Sequence, residues 1–222
     1  MLLTTLKALM VNIIMIDNKI IAKTVDSIQK SLDNATVINN QLSLLNNVLP
    51  IEAIDKLQLL VNDPTVDWKT VPHQTYLNRR AINWITESII EELHIVGNTL
   101  TETIKNYYNI NDIKFQALQL WKDGTGYAMG KHEDNPVIDV AIQLYLFENR
   151  KTEGTTFFIN DTTIDVPFEK NTAYMLWKKS NKERIPHQPT SNISADGRYS
   201  LYLTWSRFGK QAPDANDPAA FR

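Results

Sequence analysis

The chain's 222 residues are enough for one sizeable hydrophobic core, since single domains run to about 100–200 residues, and a formal charge of -2 without a basic tract gives no electrostatic footprint for duplex nucleic acid or an anionic membrane. The absence of cysteine excludes disulfide scaffolds and thiolate metal sites, so any metal must be held by imidazole, carboxylate or backbone oxygen, and it points to a reducing compartment. No run reaches the roughly 20 apolar residues that a membrane helix needs, so the expected setting is soluble and cytoplasmic.

The apolar opening run from Met1 to Ile16 is interrupted or closely followed by Asn12, Asp17 and Asn18, carries only Lys7, and is followed by no small-residue cleavage pattern, so it does not read as a signal peptide. From there to about residue 110, apolar positions recur at helical spacing. Pro50 is placed to start a helix whose one face carries Ile54, Leu57, Leu60 and Val61. A second helix is predicted from about Asn78 to Ile95, with Ile82, Ile85, Ile89 and Leu93 as its stripe, Glu91 and Glu92 outside it, and Gly97 placed to end it. A third runs from about Leu100 to Tyr108.

After Asn111 the texture changes. Phe115 to Trp121, Val137 to Phe147, Thr155 to Ile159, Thr172 to Trp177 and Tyr199 to Trp205 are β-branched or aromatic runs separated by Gly, Asn, Asp and Pro. Short strands after a set of helices predict an α+β domain, a β-barrel or sandwich buttressed on one side by the helices. The polar stretch from Gly209 to Arg222 reads as a loose or docked C-terminal tail.

Of four histidines, His132 and His187 fall in the strand-rich half beside turn residues. His132-Glu133-Asp134, placed on a strand, would point His132 and Asp134 at one ion and Glu133 away from it. Two imidazoles and one carboxylate on one face of an octahedron are the ligand set of non-haem iron(II) oxygenases, with open positions opposite. His187, in Ile185-Pro186-His187, is the candidate third ligand; the plainer reading of the tripeptide is an exposed acidic turn. Arg198 opens the run Tyr199-Ser200-Leu201-Tyr202-Leu203-Thr204-Trp205, where a guanidinium entering a barrel can clamp a carboxylate with two parallel hydrogen bonds; alone it reads equally as a solvent-facing turn residue.

Taken in order, Gly124-Thr125-Gly126-Tyr127, His132-Glu133-Asp134-Asn135-Pro136, His187 and Arg198 before an aromatic strand resemble the 2-oxoglutarate oxygenases of the prolyl 4-hydroxylase superfamily, above all the hypoxia-type prolyl hydroxylases. The resemblance covers residues 36 to 208, strongly over 118 to 205; before that Val37-Ile38-Asn39-Asn40 and Asn47-Val48-Leu49-Pro50 match the family's opening strand and helix start only in pattern. It implies a double-stranded β-helix (jelly-roll) core over about 111–208 buttressed by N-terminal helices, with residues 1–35 as a helical extension and 209–222 as a tail. It also implies iron(II) on His132, Asp134 and His187, and 2-oxoglutarate bound through its distal carboxylate by Arg198. Tyr127 and Tyr145 stand near positions where the family places aromatic hydroxyls beside the co-substrate, and Trp121 stands where a tyrosine is usual.

The implied activity couples decarboxylation of 2-oxoglutarate by O2, giving succinate and CO2, to hydroxylation of an unactivated C–H bond, with ascorbate stimulating. A prolyl or other side chain of a protein or peptide is the leading substrate by analogy of fold. The alternatives are a small-molecule or nucleobase hydroxylase on the same core, for which a more basic rim is expected in the nucleobase case, and a non-catalytic jelly-roll binding module.

Other signals are weaker. Gly124 to Gly130 fails the dinucleotide pattern because its third glycine comes one place late and no helix follows. His73 and His94 lack a carboxylate at ligand spacing, and Trp177 and Trp205 read as core. Lys178, Lys179, Lys182 and Arg184 read as a solvated loop, with an active-site rim favouring an acidic substrate as the second reading.

Overall fold

Helical spacing before residue 110 and β-branched or aromatic runs after it divide the chain, and the computed structural model, which describes residues 17–66, 68–70, 79–82, 88–178, 184–194 and 197–207, follows that division. The opening run to Ile16, His73, Ile85, Lys179, Lys182 and the tail from Gly209 lie outside the described residues.

Helix α1 (Asn18–Asp33) is capped by the Asp17 carboxylate, which accepts from the N–H of Lys19 at 3.0 Å and of Ile20 at 3.3 Å. Helix α2 (Ile51–Asn62) begins after Pro50 as predicted and buries Ile54, Leu57, Leu60 and Val61. Helices α3 (Ser88–Thr99) and α4 (Thr101–Tyr108) follow, and Asn109 in the left-handed region, φ 53°, closes α4.

The strands are β1 (Thr36–Val37), β2 (Leu42–Asn46), β3 (Trp68–Thr70), β4 (Arg79–Ile82), β5 (Ile113–Asp123), β6 (Val140–Tyr145), β7 (Arg150–Ile159), β8 (Thr162–Phe168), β9 (Thr172–Trp177), β10 (His187–Pro189) and β11 (Arg198–Arg207). Eight form one sheet in the order β1-β2-β9-β6-β11-β5-β4-β3, and β10-β7-β8 form a second. Each ladder is antiparallel.

Both faces of the large sheet are covered, and alternation along each strand sorts its residues between them. Leu118, Leu120, Ile142, Leu144, Met175, Leu201 and Leu203 join the helices' Ile28, Leu32, Leu57, Leu93 and Leu100 in one core. The opposite face sends Leu42, Tyr145, Tyr174 and Leu176 against Phe157, Val166 and Phe168 of the small sheet. Two facing antiparallel sheets around this interior make the expected α+β jelly roll, with the helices buttressing one side. Helix α1 is part of that packing, since Ile20, Ile28 and Leu32 lie in the main core.

Three local expectations are corrected. The helix predicted from Asn78 is instead β4 followed by α3, because Arg79, Arg80 and Ala81 pair with Asp123, Lys122 and Trp121 of β5, and that ladder overrides the isoleucine periodicity. Gly97 does not end α3; it lies inside it, where an added Cβ would stand 2.4 Å from the Phe115 ring. Glu92, placed outside the apolar stripe, is fully buried and accepts from the Asp17 N–H at 2.9 Å and the Lys56 ammonium at 3.1 Å, tying α3 to α1 and α2.

Candidate metal centre

His132 stands in a loop rather than in a strand, but a single β-bridge joins it to His187, the first residue of β10. Each N–H donates to the other's carbonyl, at 2.9 and 2.8 Å, which sets the two imidazoles side by side with ring centroids 4.4 Å apart. Asp134 closes the group: its Oδ1 is 3.7 Å from His187 Nε2, and one ligand atom from each of His132, Asp134 and His187 lies within 4.8 Å of the others. Glu133 turns away toward Arg184, 3.5 Å distant.

Both tautomers are fixed by backbone. His132 Nδ1 lies 3.0 Å from the Gly130 carbonyl and His187 Nδ1 lies 3.1 Å from the Ile185 carbonyl, so each Nδ1 carries the proton and each Nε2 offers a lone pair. Burial and the neighbouring His187 push the His132 pKa down to about 4, which keeps its imidazole neutral at physiological pH. Two imidazoles and one carboxylate, with Nε2 aimed together, suit a divalent first-row metal such as iron(II).

Aromatic side chains lead from this group into the barrel. The Phe157 ring lies 5.5 Å from His187, the Tyr174 ring 4.9 Å from Phe157, and the Tyr145 ring 6.0 Å from Tyr174. Tyr145 is fully buried, stacks on Phe168 at 4.4 Å and shares a 2.6 Å hydrogen bond with Thr155 Oγ1; burial pushes its phenol up to about 12.

Beyond Phe168 comes Arg198, 3% exposed, with its guanidinium 5.5 Å from the Phe168 ring and 5.4 Å from the Tyr127 ring. Arg198 does not face solvent. Its Nε and Nη2 donate to Asp123 Oδ2 at 3.1 and 2.7 Å, and its Nη1 donates to the Glu153 carbonyl. Asp123 has a second partner, Arg79, whose Nε and Nη2 donate to Oδ1 and Oδ2 at 2.6 and 3.1 Å. Burial favours the neutral acid, but the Arg79 and Arg198 guanidiniums prevail and hold the Asp123 carboxyl below its ordinary range.

No protein-family model matches the sequence, and no curated protein matches it. Solved structures do. A prolyl hydroxylase from Trichoplax adhaerens, in complex with a hypoxia inducible factor oxygen degradation domain peptide fragment, superposes with a TM-score of 0.59 over 86% of this chain and 94% of that one, at 14% identity. A prolyl-4-hydroxylase from Pseudomonas putida gives 0.61 over 83% of this chain and 100% of that one, at 15% identity. The chain has the fold of the 2-oxoglutarate/iron(II) oxygenases. HygX from Streptomyces hygroscopicus, with nickel and 2-oxoglutarate bound, matches with a TM-score of 0.59 over 77% of this chain and 84% of that one, at 8% identity.

Within this oxygenase fold the remaining sequence candidates find definite places. Tyr127 is 1% exposed and lies under both guanidiniums, with Arg79 at 4.5 Å from its ring. Trp121 stacks on Tyr202 at 4.6 Å and carries Arg79 on its face at 4.0 Å. Trp205 is wholly buried and Trp177 packs against the same core. Lys178 does not belong to a solvated loop: it is 9% exposed, donates to the Pro136 carbonyl and lies 3.7 Å from Asp139. With Asp134, Trp177 and Arg184 it lines a small cavity of about 30 Å³ beside the candidate metal ligands. His94 packs edge-on against Phe115 at 5.0 Å, away from the site.

Arg79 and Asp123 were not among the sequence candidates. Asp123 carries a usable signal, because it shares a strand face with Trp121 and immediately precedes the Gly124 turn. Arg79 carries none, since its segment reads as helix.

Proposed function

We propose that this chain is an iron(II)- and 2-oxoglutarate-dependent oxygenase that hydroxylates an unactivated C–H bond, with a prolyl or other side chain of a protein or peptide as the leading substrate. The observation that carries the reading is the pairing, inside one barrel, of two Nε2-presenting histidines and a carboxylate with a buried arginine. His132, Asp134 and His187 would hold the metal, leaving positions for co-substrate and oxygen. When bound, iron(II) supplies oxygen activation: 2-oxoglutarate loses CO2 and takes one oxygen atom to become succinate, and the other atom enters the substrate C–H bond.

The chain's own residues prepare that chemistry. The Gly130 and Ile185 carbonyls hold the imidazoles in the ligating tautomer. Three of the five N–H donors of Arg198 are used by Asp123 and Glu153, and the other two are available to a distal carboxylate. Tyr145 and Thr155 form a hydroxyl pair between the metal ligands and Arg198, suited to orient a dicarboxylate, while Phe157, Phe168 and Tyr174 exclude water around it. Tyr127 and Trp121 support the guanidiniums from their ring faces.

The peptide-side-chain reading is supported by the two prolyl hydroxylase neighbours, and a small-molecule substrate is favoured instead by HygX solved with hygromycin B bound, which superposes with a TM-score of 0.57. Succinate release from 2-oxoglutarate with and without candidate proline-containing peptides tests the choice: peptide-stimulated turnover supports the first, and turnover indifferent to peptides favours the second. Ascorbate is expected to stimulate either.

A further inference from the structure

Antiparallel pairing sets Arg79 of β4, Asp123 of β5 and Arg198 of β11 directly opposite one another across three adjacent strands. Residues so paired share a sheet face, and here their side chains form a linear cation–anion–cation group, exposed by only 5%, 0% and 3%. This arrangement raises a problem for the oxygenase reading. A buried carboxylate on the arginine that should receive an anionic co-substrate cancels that arginine's charge, and the neutral pair would have little advantage in binding a second carboxylate.

Arg79 resolves the problem. Its side-on approach occupies Asp123 Oδ1 and shares Oδ2, so the carboxylate is neutralised by Arg79 while Arg198 meets it through Oδ2 alone. With Arg79 the group has a net charge of plus one; without it, zero. The Arg79 guanidinium is itself fixed between the faces of Trp121 and Tyr127, at 4.0 and 4.5 Å.

We propose that Arg79 is a positioning residue for co-substrate binding: by neutralising Asp123 it leaves Asp123 free to orient Arg198 without cancelling the charge that Arg198 presents to the distal carboxylate of 2-oxoglutarate. The inference rests on the oxygenase reading and adds to it a residue outside the candidate ligand set, acting through Asp123 and Arg198.

Calorimetric titration of 2-oxoglutarate into the zinc(II)-loaded, full-length chain tests it without needing turnover. Arg79→Gln is expected to weaken binding on the order of tenfold or more, as removal of a buried unit charge should. Asp123→Asn in the same chain is expected to restore it, because the double variant again has a net charge of plus one. Should Arg79→Gln alone fail to fold, Asp123→Asn and the double variant, neither of which leaves an unpaired carboxylate, still give the comparison: the single variant should bind on the order of tenfold tighter. Equal affinities within both pairs would overturn the inference and leave the oxygenase reading standing. No 2-oxoglutarate binding by the unmodified, zinc-loaded chain would overturn both.

Discussion

His132 and His187, far apart in the chain, exchange both of their backbone hydrogen bonds, and this single bridge sets the spacing of their imidazoles. The bridge uses no side-chain atoms, so replacing an imidazole removes a candidate metal ligand without breaking it. His132→Ala is therefore expected to abolish iron-dependent turnover while lowering the stability of the metal-free chain by only about 1 kcal/mol, the worth of one hydrogen bond to the Gly130 carbonyl. Thermal unfolding without metal, beside a turnover assay, checks the pair of outcomes. A loss above about 3 kcal/mol without metal would assign His132 a structural role.

The His132 pKa, pushed down to about 4 from an ordinary 6.5 by burial and by His187, gives the metal-free chain a definite acid sensitivity. The folded value lies below the unfolded one, so the unfolded chain binds the proton more readily throughout the interval between them. The contribution of His132 to stability is thus complete above about pH 6.5 and is lost progressively as pH falls toward 4. Melting temperatures measured across that interval should fall more steeply for the unmodified chain than for His132→Ala; parallel curves would contradict the assignment.

Asp123 sits between two buried guanidiniums, and its removal leaves them facing each other. Asp123→Ala is expected to cost about 3–5 kcal/mol, the usual penalty for stripping one member from a buried ionic group. The Arg79 and Arg198 guanidiniums hold its folded pKa below the ordinary 3.8, so this stabilisation is present above about pH 3.8 and is lost as pH falls below it. Denaturant unfolding at neutral pH measures the first effect, and a loss under about 1 kcal/mol would show that the cluster contributes little to the fold.

Gly97 lies within α3, where alanine normally favours a helix by about 1 kcal/mol over glycine. Its added Cβ would meet the Phe115 ring at 2.4 Å, and that ring is backed by His94 and Trp205 at centroid distances of 5.0 and 5.3 Å. Gly97→Ala is expected to destabilise by about 1–3 kcal/mol despite the helix preference. Unchanged or increased stability would mean that Phe115 can move aside.

Much of this was legible in the sequence because it rests on local pattern. The strand Thr172–Trp177 follows from its aromatic and apolar composition and the apolar face of Ile54, Leu57, Leu60 and Val61 from helical period, and the ordered motifs gave the jelly roll and its candidate ligands. What escaped depends on partners far along the chain. Arg79 is in a strand because β5 pairs with it, Glu92 is buried because Asp17 and Lys56 reach it, and the bridge that positions His132 requires β10 to come alongside. Asp123 was not among the sequence candidates: its place before the Gly124 turn is visible in the sequence, but the two arginines contributed by other strands are not.

Succinate formation from 2-oxoglutarate, by protein purified without oxygen and then supplied with iron(II), ascorbate and O2, decides whether the chain is an oxygenase when the unmodified chain is compared with His132→Ala and Arg198→Ala. Slow iron-dependent turnover by the unmodified chain is expected to disappear in His132→Ala and to drop at least about tenfold in Arg198→Ala at limiting 2-oxoglutarate, as loss of a charged carboxylate partner requires. Absence of turnover in the iron-loaded chain, or turnover that persists unchanged without His132, would contradict the oxygenase reading.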